Sequence, residues 1–304
     1  MEPVDYIWMD GEMVEWENAN VHVLTHALHY GTGVFEGIRA YENDGVPAVF
    51  RLDSHMERFL DSAKITGMNL DYSKQELVNA TEKIILENEL KSCYVRPVAF
   101  RGYGPMGLNP NDNPVKVSIA VWPWGAYLGE EALKNGVEVQ TASWNRHHPN
   151  VMPTKAKANG NYVNSVMAKQ EAIRNGMDEA IMLTPEGYVA EGSGENLFAV
   201  RNGELLTPPA SSVLEGITMD SVRQIAEDLG YAVKEKRMTR DQLIRSDETF
   251  FTGTAAEVTP IREIDGKQIS DGRGPVTEEI QSEFMEVVSG KGEKYSDWRH
   301  RVER

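Results

Sequence analysis

Ten consecutive residues, Pro153-Thr154-Lys155-Ala156-Lys157-Ala158-Asn159-Gly160-Asn161-Tyr162, place two lysines between a strand-like run and a helix-like run. A lysine amine held there can form a Schiff base with an aldehyde cofactor. By type, either Lys155 or Lys157 fits, and so does a pair of solvated loop lysines, the commonest fate of that residue. A second chemical element follows the short strand Tyr188-Val189-Ala190, in the run Glu191-Gly192-Ser193-Gly194-Glu195-Asn196. A carboxylate beside a ring nitrogen keeps that nitrogen protonated, so that the ring accepts electrons. Glu191 and Glu195 both qualify by type, with a surface charge as the alternative for either.

Three further segments suit anions. Gly216-Ile217-Thr218 stands directly before an amphipathic helix, where N–H groups and the helix dipole attract phosphate. Thr218 fits there as an N-cap threonine or as an added hydroxyl donor. Phe251-Thr252-Gly253-Thr254-Ala255-Ala256 is a small-residue turn after a strand, and its glycine and alanines admit a ligand close to the backbone. Tyr94 and Arg96 are two apart in a strand and point to one face. A phenol beside a guanidinium suits a carboxylate, and equally a rim ion pair. Two patterns are set aside. His147-His148 lacks metal-ligand spacing and has no cysteine beside it, so no metal is expected. Gly102-Tyr103-Gly104-Pro105-Met106-Gly107 fits G-x-G-x-x-G, but Leu108-Asn109-Pro110-Asn111-Asp112-Asn113-Pro114 follows and cannot form the helix a dinucleotide fingerprint needs. A loop is expected there.

The elements that must carry these residues mix strands with helices and contain several hairpins, which predicts α+β layers rather than a purely parallel sheet. Asp10-Gly11 predicts a tight hairpin turn. Strands are expected at Gly33–Tyr41, Pro47–Leu52, Ser92–Tyr103, Val115–Trp122 and Val137–Trp144. A helix is expected from Asp53 or Ser54 to Gly67. A second starts at Ser73, with Glu76 completing a capping box. Further helices are expected over Tyr162–Asn175, Thr218–Leu229 and Thr277–Val288. A length of 304 residues predicts two domains. The run Pro123-Trp124-Gly125-Ala126-Tyr127-Leu128-Gly129 reads as their connection. This gives a small N-terminal α/β domain over 1–122, a linker over 123–135 and a larger C-terminal domain over 136–304.

Composition narrows the partners. The net charge is −16, from 31 basic and 47 acidic side chains. No basic cluster offsets it, so nucleic acid is not expected as a partner. The N-terminus has neither a basic region nor an apolar one, and no run of about 18 apolar residues occurs, so a cytoplasmic protein with no membrane partner is expected. The single cysteine, Cys93, excludes an intramolecular disulfide and reads as a core residue.

Taken in order, the segments Tyr6-Ile7-Trp8, Gly11-Glu12-Met13-Val14, His26-Ala27-Leu28-His29-Tyr30-Gly31-Thr32-Gly33-Val34-Phe35-Glu36-Gly37-Ile38-Arg39, His55-Met56-Glu57-Arg58, Tyr94-Val95-Arg96-Pro97, Pro123 to Gly129, Lys157 to Tyr162, Glu191 to Phe198, Leu214 to Thr218 and Gly253 to Pro260 resemble the branched-chain amino-acid aminotransferases. These are class IV enzymes dependent on pyridoxal 5'-phosphate (PLP), with a two-domain fold like that of D-amino-acid aminotransferase. The resemblance covers nearly the whole chain. It implies that Lys157, not Lys155, forms the Schiff base with PLP and shuttles the proton. It implies that Glu191, not Glu195, pairs with the pyridine nitrogen. Tyr162 would hydrogen-bond the cofactor's phenolic oxygen, Arg58, Ile217, Thr218 and Thr254 would hold its phosphate, and Leu214 would pack on its ring. Tyr94, Arg96, Thr254 and Ala255 would face the substrate carboxylate. Gly37 joins the substrate site, and Tyr30, Phe35, Met106, Leu108, Trp124 and Tyr127 would line an apolar side-chain pocket. Lys155 and the His147-His148 pair depart from the family pattern.

The implied activity is a reversible ping-pong transfer of an amino group from L-leucine, L-isoleucine or L-valine to 2-oxoglutarate, giving L-glutamate. One pocket must then accept an apolar side chain and a carboxylate, and an unpaired buried charge is costly. Arg96 is a candidate partner for the second substrate. The alternatives are a D-amino-acid transaminase, an aminodeoxychorismate lyase, or a PLP-binding protein without turnover. The family assembles as homodimers, or as homohexamers built from them.

Overall fold

The structure is a computed structural model that describes residues 2–125 and 129–303. The chain forms two compact units: one from Met1–Trp124, Ala156–Gly160 and Val287–Arg304, the other from Gly125–Lys155 and Asn161–Glu286.

The first unit is an antiparallel sheet with two helices on it. Its strands are β1 (Tyr6–Met9), β2 (Glu12–Glu15), β3 (Gly33–Phe35), β4 (Ile38–Asn43), β5 (Val46–Phe50), β6 (Cys93–Arg101) and β7 (Val115–Trp122). A C-terminal strand, Arg299–Arg301, pairs with β5, and the order from it is β5-β4-β6-β7-β1-β2, with β3 on β6. The expected strand Gly33–Tyr41 is two strands, with Glu36-Gly37 as the break. The expected Pro47–Leu52 strand stops at Phe50, because Arg51 turns into the left-handed region at φ 51° and starts a helix. After the short α1 (His26–Tyr30), the helices are α2 (Leu52–Ile65) and α3 (Lys74–Glu87). Ser73 and Glu76 form both halves of the capping box on α3. Met56, Phe59, Leu77, Ile84 and Ile85 pack with Val34, Ile38, Val95, Ile119 and Val121 of the sheet, and Ala156 and Ala158 join the same core. Alternation along β6 puts Cys93, Val95 and Ala99 into this core. Burial pushes the Cys93 thiol up to about 12.

The second unit has helices α4 (Glu130–Asn135), α5 (Tyr162–Arg174), α6 (Ile217–Asp228), α7 (Arg240–Ile244) and α8 (Pro275–Val288). Its strands are β8 (Val137–Thr141), β9 (Glu179–Leu183), β10 (Val189–Gly192), β11 (Asn196–Arg201), β12 (Glu204–Thr207), β13 (Ala232–Glu235), β14 (Glu248–Gly253), β15 (Glu257–Ile264) and β16 (Lys267–Gln268). They form a mixed sheet in the order β10-β9-β8-β15-β14-β11-β12-β13, with β16 on β15. The β8–β9, β8–β15 and β12–β13 pairs are parallel. Its core includes Val137, Val139, Ile181, Leu197, Phe251 and Ile261. The turns after β10 and β14 and the start of α6 are where the small residues singled out above lie. Among the described residues, no helix is long and apolar enough to cross a membrane.

Candidate active site

Lys157 lies in the first unit. Its N–H donates to Ser62 Oγ at 3.0 Å and its carbonyl accepts from Phe35 N–H at 3.0 Å. Ala156 and Ala158 on either side are buried in the core, and Ala158 bridges to Val34. The segment is therefore fixed along its backbone, and the partly buried Lys157 carries its ammonium over the Phe35 ring, 4.9 Å from the centroid.

Arg58 comes from α2. Its Nε and Nη2 donate to Oε1 and Oε2 of the fully buried Glu36 at 2.7 and 2.9 Å, and His55 Nδ1 lies 2.8 Å from Oε2. Burial raises the Glu36 carboxyl, but the charges and hydrogen bonds of Arg58 and His55 outweigh it and hold it far below the usual carboxylate range. Burial lowers His55, against the opposing pull of the Glu36 carboxylate. The guanidinium of Arg58 is thus locked in orientation by a buried anion. Sequence reading assigns no role to Glu36 or His55. The available signal is His55 and Arg58 three apart on one helical face.

Tyr94 and Arg96 come together as their spacing predicts, with Arg96 Nη2 3.4 Å from Tyr94 Oη. The Arg96 guanidinium lies over Phe35, Tyr94 and Trp122 at 5.0, 5.2 and 5.8 Å, and among the described residues its buried Nε has no hydrogen-bond partner. Trp124 stands edge-on to Tyr94 at 4.3 Å. Gly37 is required beside them, since a Cβ there would come within 2.0 Å of Tyr94 Oη. Tyr30, Met106 and Leu108 are exposed in the single chain, Leu108 at 88%. Tyr127 lies outside the described residues.

In the second unit Glu191 ends β10, buried. Arg146 Nε donates to its Oε1 at 2.7 Å, while Asn196 Nδ2 and the Leu214 N–H approach Oε2 at 3.3 and 3.4 Å. Arg146 is a partner that sequence reading misses, because it lies 45 residues away in a loop with no motif. Asn196 also donates to the Leu214 carbonyl at 2.9 Å, and its Oδ1 would lie 1.9 Å from a Cβ on Gly216. Glu195 is the other carboxyl of this turn. Burial and then the Glu179 carboxylate push it up to about 8, against the Gly194 N–H, Lys169 and Arg146. Sequence leaves Glu191 and Glu195 equal by type; the structure separates a cation-paired carboxylate from a protonated one.

Helix α6 begins at Ile217 with Gly216 in the extended region as N-cap, a residue with no side chain of its own to cap the helix. Thr218 is therefore not the N-cap its position suggests; it is a buried residue of the first turn. Thr254 and Ala255 form the partly exposed turn from β14 to β15. Tyr162 opens α5. Lys155 is committed elsewhere: its ammonium donates to the Ala210 carbonyl and pairs with Glu215 at 3.1 Å.

These parts define a class. The model for amino-transferase class IV matches residues 33–264, and the chain belongs to that family. Its relatives are more particular. It is 53% identical over 294 residues to the branched-chain-amino-acid aminotransferase of Pseudomonas aeruginosa, covering 96% of each chain. A branched-chain amino acid aminotransferase of T.th., solved with pyridoxamine 5'-phosphate, is 50% identical, with a TM-score of 0.97 and full coverage of both chains. The same enzyme complexed with N-(5'-phosphopyridoxyl)-L-glutamate has a TM-score of 0.95 at 48% identity, again covering both chains completely.

Proposed function

We propose that this protein is a branched-chain-amino-acid aminotransferase, exchanging an amino group between L-leucine, L-isoleucine or L-valine and 2-oxoglutarate with PLP as cofactor. The observation that carries the reading is the contrast between the lysines: Lys157 sits on a segment pinned at its N–H and C=O, while Lys155 is tied to Ala210 and Glu215.

The donor set fits PLP. It offers an amine, a buried carboxylate with a fixed cation, a helix start whose N-cap is a glycine that admits no side chain, and an arginine held by a buried anion. PLP, when bound, supplies an aldehyde that takes amines and a ring that accepts an electron pair. Lys157 would hold the aldehyde and would move the proton at the substrate Cα. Glu191 would accept a hydrogen bond from the ring N–H. Tyr162 would donate to the phenolic oxygen, and Leu214 would pack on the ring. Arg58, the amides of Ile217 and Thr218, and Thr254 would hold the phosphate. Tyr94, Thr254 and Ala255 would face the substrate carboxylate, and Gly37, Phe35 and Trp124 would bound the side-chain region.

Arg96 answers the two-substrate problem. Its guanidinium lies among aromatic rings, and its buried Nε has no partner among the described residues. Against an apolar side chain those rings provide the contact; against a glutamate side chain the guanidinium provides the charge. We also infer a homo-oligomer. The bridge Thr25–Tyr103 and the contact of His26 Nε2 with the Gly107 carbonyl at 2.7 Å tie two segments together, and these expose Val21, Val23, Leu24, Leu28, Tyr103 and Leu108.

The test is spectroscopic. The purified protein should carry a PLP absorption band that L-leucine bleaches and 2-oxoglutarate restores, with D-alanine inert. Lys157→Ala should abolish the cycle and the borohydride-fixable cofactor, while Lys155→Ala keeps both. The reverse pattern would overturn the lysine assignment, and turnover of D-alanine alone would overturn the substrate class.

A further inference from the structure

Arg146 belongs to no motif, yet every nitrogen of its guanidinium has a protein acceptor. Nε donates to Glu191 Oε1 at 2.7 Å, Nη1 to Ser165 Oγ at 2.9 Å and to Asn164 Oδ1 at 3.4 Å, and Nη2 to the Ser193 carbonyl at 3.4 Å. Its own N–H donates to the Leu183 carbonyl at 2.8 Å, at the end of β9. Side-chain exposure is 15% for Arg146 and 8% for Glu191. The residue is therefore held by α5, by the Ser193 turn and by the end of β9 at once.

The consequence rests on the reading of Glu191 as partner of the cofactor's ring nitrogen. That role needs a carboxylate, because a carboxylic acid presents a donor where an acceptor is required. Burial alone works against the charged form. Arginine is the side chain that offsets this without itself losing a proton. The hydrogen bond is also selective, since it occupies Oε1. Among the described residues, Oε2 has the long approaches of Asn196 Nδ2 at 3.3 Å and Leu214 N at 3.4 Å.

We propose that Arg146 is a positioning residue for the amino-transfer reaction: it holds Glu191 as the carboxylate by taking Oε1 for itself, leaving Oε2 to accept a hydrogen bond from the ring N–H. The other charged and titratable groups around the pair do not replace it. Burial and the Arg146 charge both lower His147. Glu195 is held protonated by burial and by Glu179, and Lys169 is paired with Glu179 at 2.7 Å.

The experiment compares wild type, Arg146→Met and Arg146→Lys as holoenzymes. In Arg146→Met, infrared difference spectra against wild type should show a second protonated-carboxyl band, beyond that of Glu195, which disappears again in Arg146→Met/Glu191→Gln. The same variant should lose roughly 10–100-fold in kcat, the usual cost of removing a group that orients a functional one, with the KM for L-leucine little changed. Arg146→Lys keeps the charge but not the fork, so it should show no such band and a smaller loss of kcat. A folded Arg146→Met enzyme with wild-type kcat, or one without the new band, overturns the proposal. Should Arg146→Met fail to fold, Arg146→Lys decides, and wild-type kcat and pH profile there overturn it. A wild-type protein that neither binds PLP nor exchanges amino groups sinks the underlying reading and this one together; an active wild type with unaffected variants sinks only the role of Arg146.

Discussion

Glu195 shows how two carboxyls four residues apart come to opposite states. Glu191 meets a guanidinium; Glu195 meets burial and the Glu179 carboxylate, and is pushed up to about 8. A group raised in the folded state from its ordinary 4.5 stabilises the fold fully below pH 4.5, and that contribution is lost as pH rises through about 8. Glu195→Gln mimics the neutral carboxyl at every pH. Urea midpoints measured from pH 5 to pH 9 should therefore fall less steeply for the variant, which should be the more stable protein at the alkaline end. Parallel curves for the two proteins would show that Glu195 is ionised throughout. The lysine loop, the Gly-Glu-Asn turn and Gly216-Ile217-Thr218 are legible in the sequence because each is a local pattern. Arg146 and Glu36 are not, because a hydrogen bond across 45 residues, or across 22 for Glu36 and Arg58, leaves no local trace.

At the scale of elements, helices are more legible than strands. Ser73 and Glu76 are both visible in sequence and both form their half of the cap. The α2 start is harder, since Arg51 adopts the left-handed region where its N–H donates to the Trp298 carbonyl at 2.6 Å, from the far end of the chain. The strand Arg299–Arg301 is hidden for the same reason: three polar residues become a strand only when β5 offers them an edge. Helix α2 carries Arg58 on one side and Phe59 on the other, and Phe59 is fully buried. Phe59→Ala should cost about 3–5 kcal/mol of unfolding free energy, the usual range for emptying an aromatic site in a core. Chemical denaturation measures it directly, and a loss under about 1 kcal/mol would mean that α2 repacks over the cavity.

For the whole molecule, charge and apolar surface pull in different directions. A net charge of −16 favours solubility and separation of copies. The segments around Thr25 and Tyr103 instead expose large apolar side chains, Val23 at 71% and Leu28 at 63% among them. Two carboxylates introduced by Val23→Asp and Leu28→Asp should shift sedimentation velocity profiles toward a single-chain species of 34.0 kDa. An unchanged profile would remove this surface from the assembly. The overall layers of strand and helix can be anticipated from alternation and capping, but such surface is ambiguous in sequence, where an exposed valine and a core valine look alike.

Cys93 carries one more consequence. It is the chain's single thiol, it is buried in the core of the first unit, and its proton is held up to about 12. Thiolate is the form that reacts with maleimides, so the native protein is close to silent toward them at neutral pH. A cysteine placed at an exposed position therefore becomes the one addressable handle on the molecule. Fluorophores or spin labels can be attached there without first engineering the natural residue away.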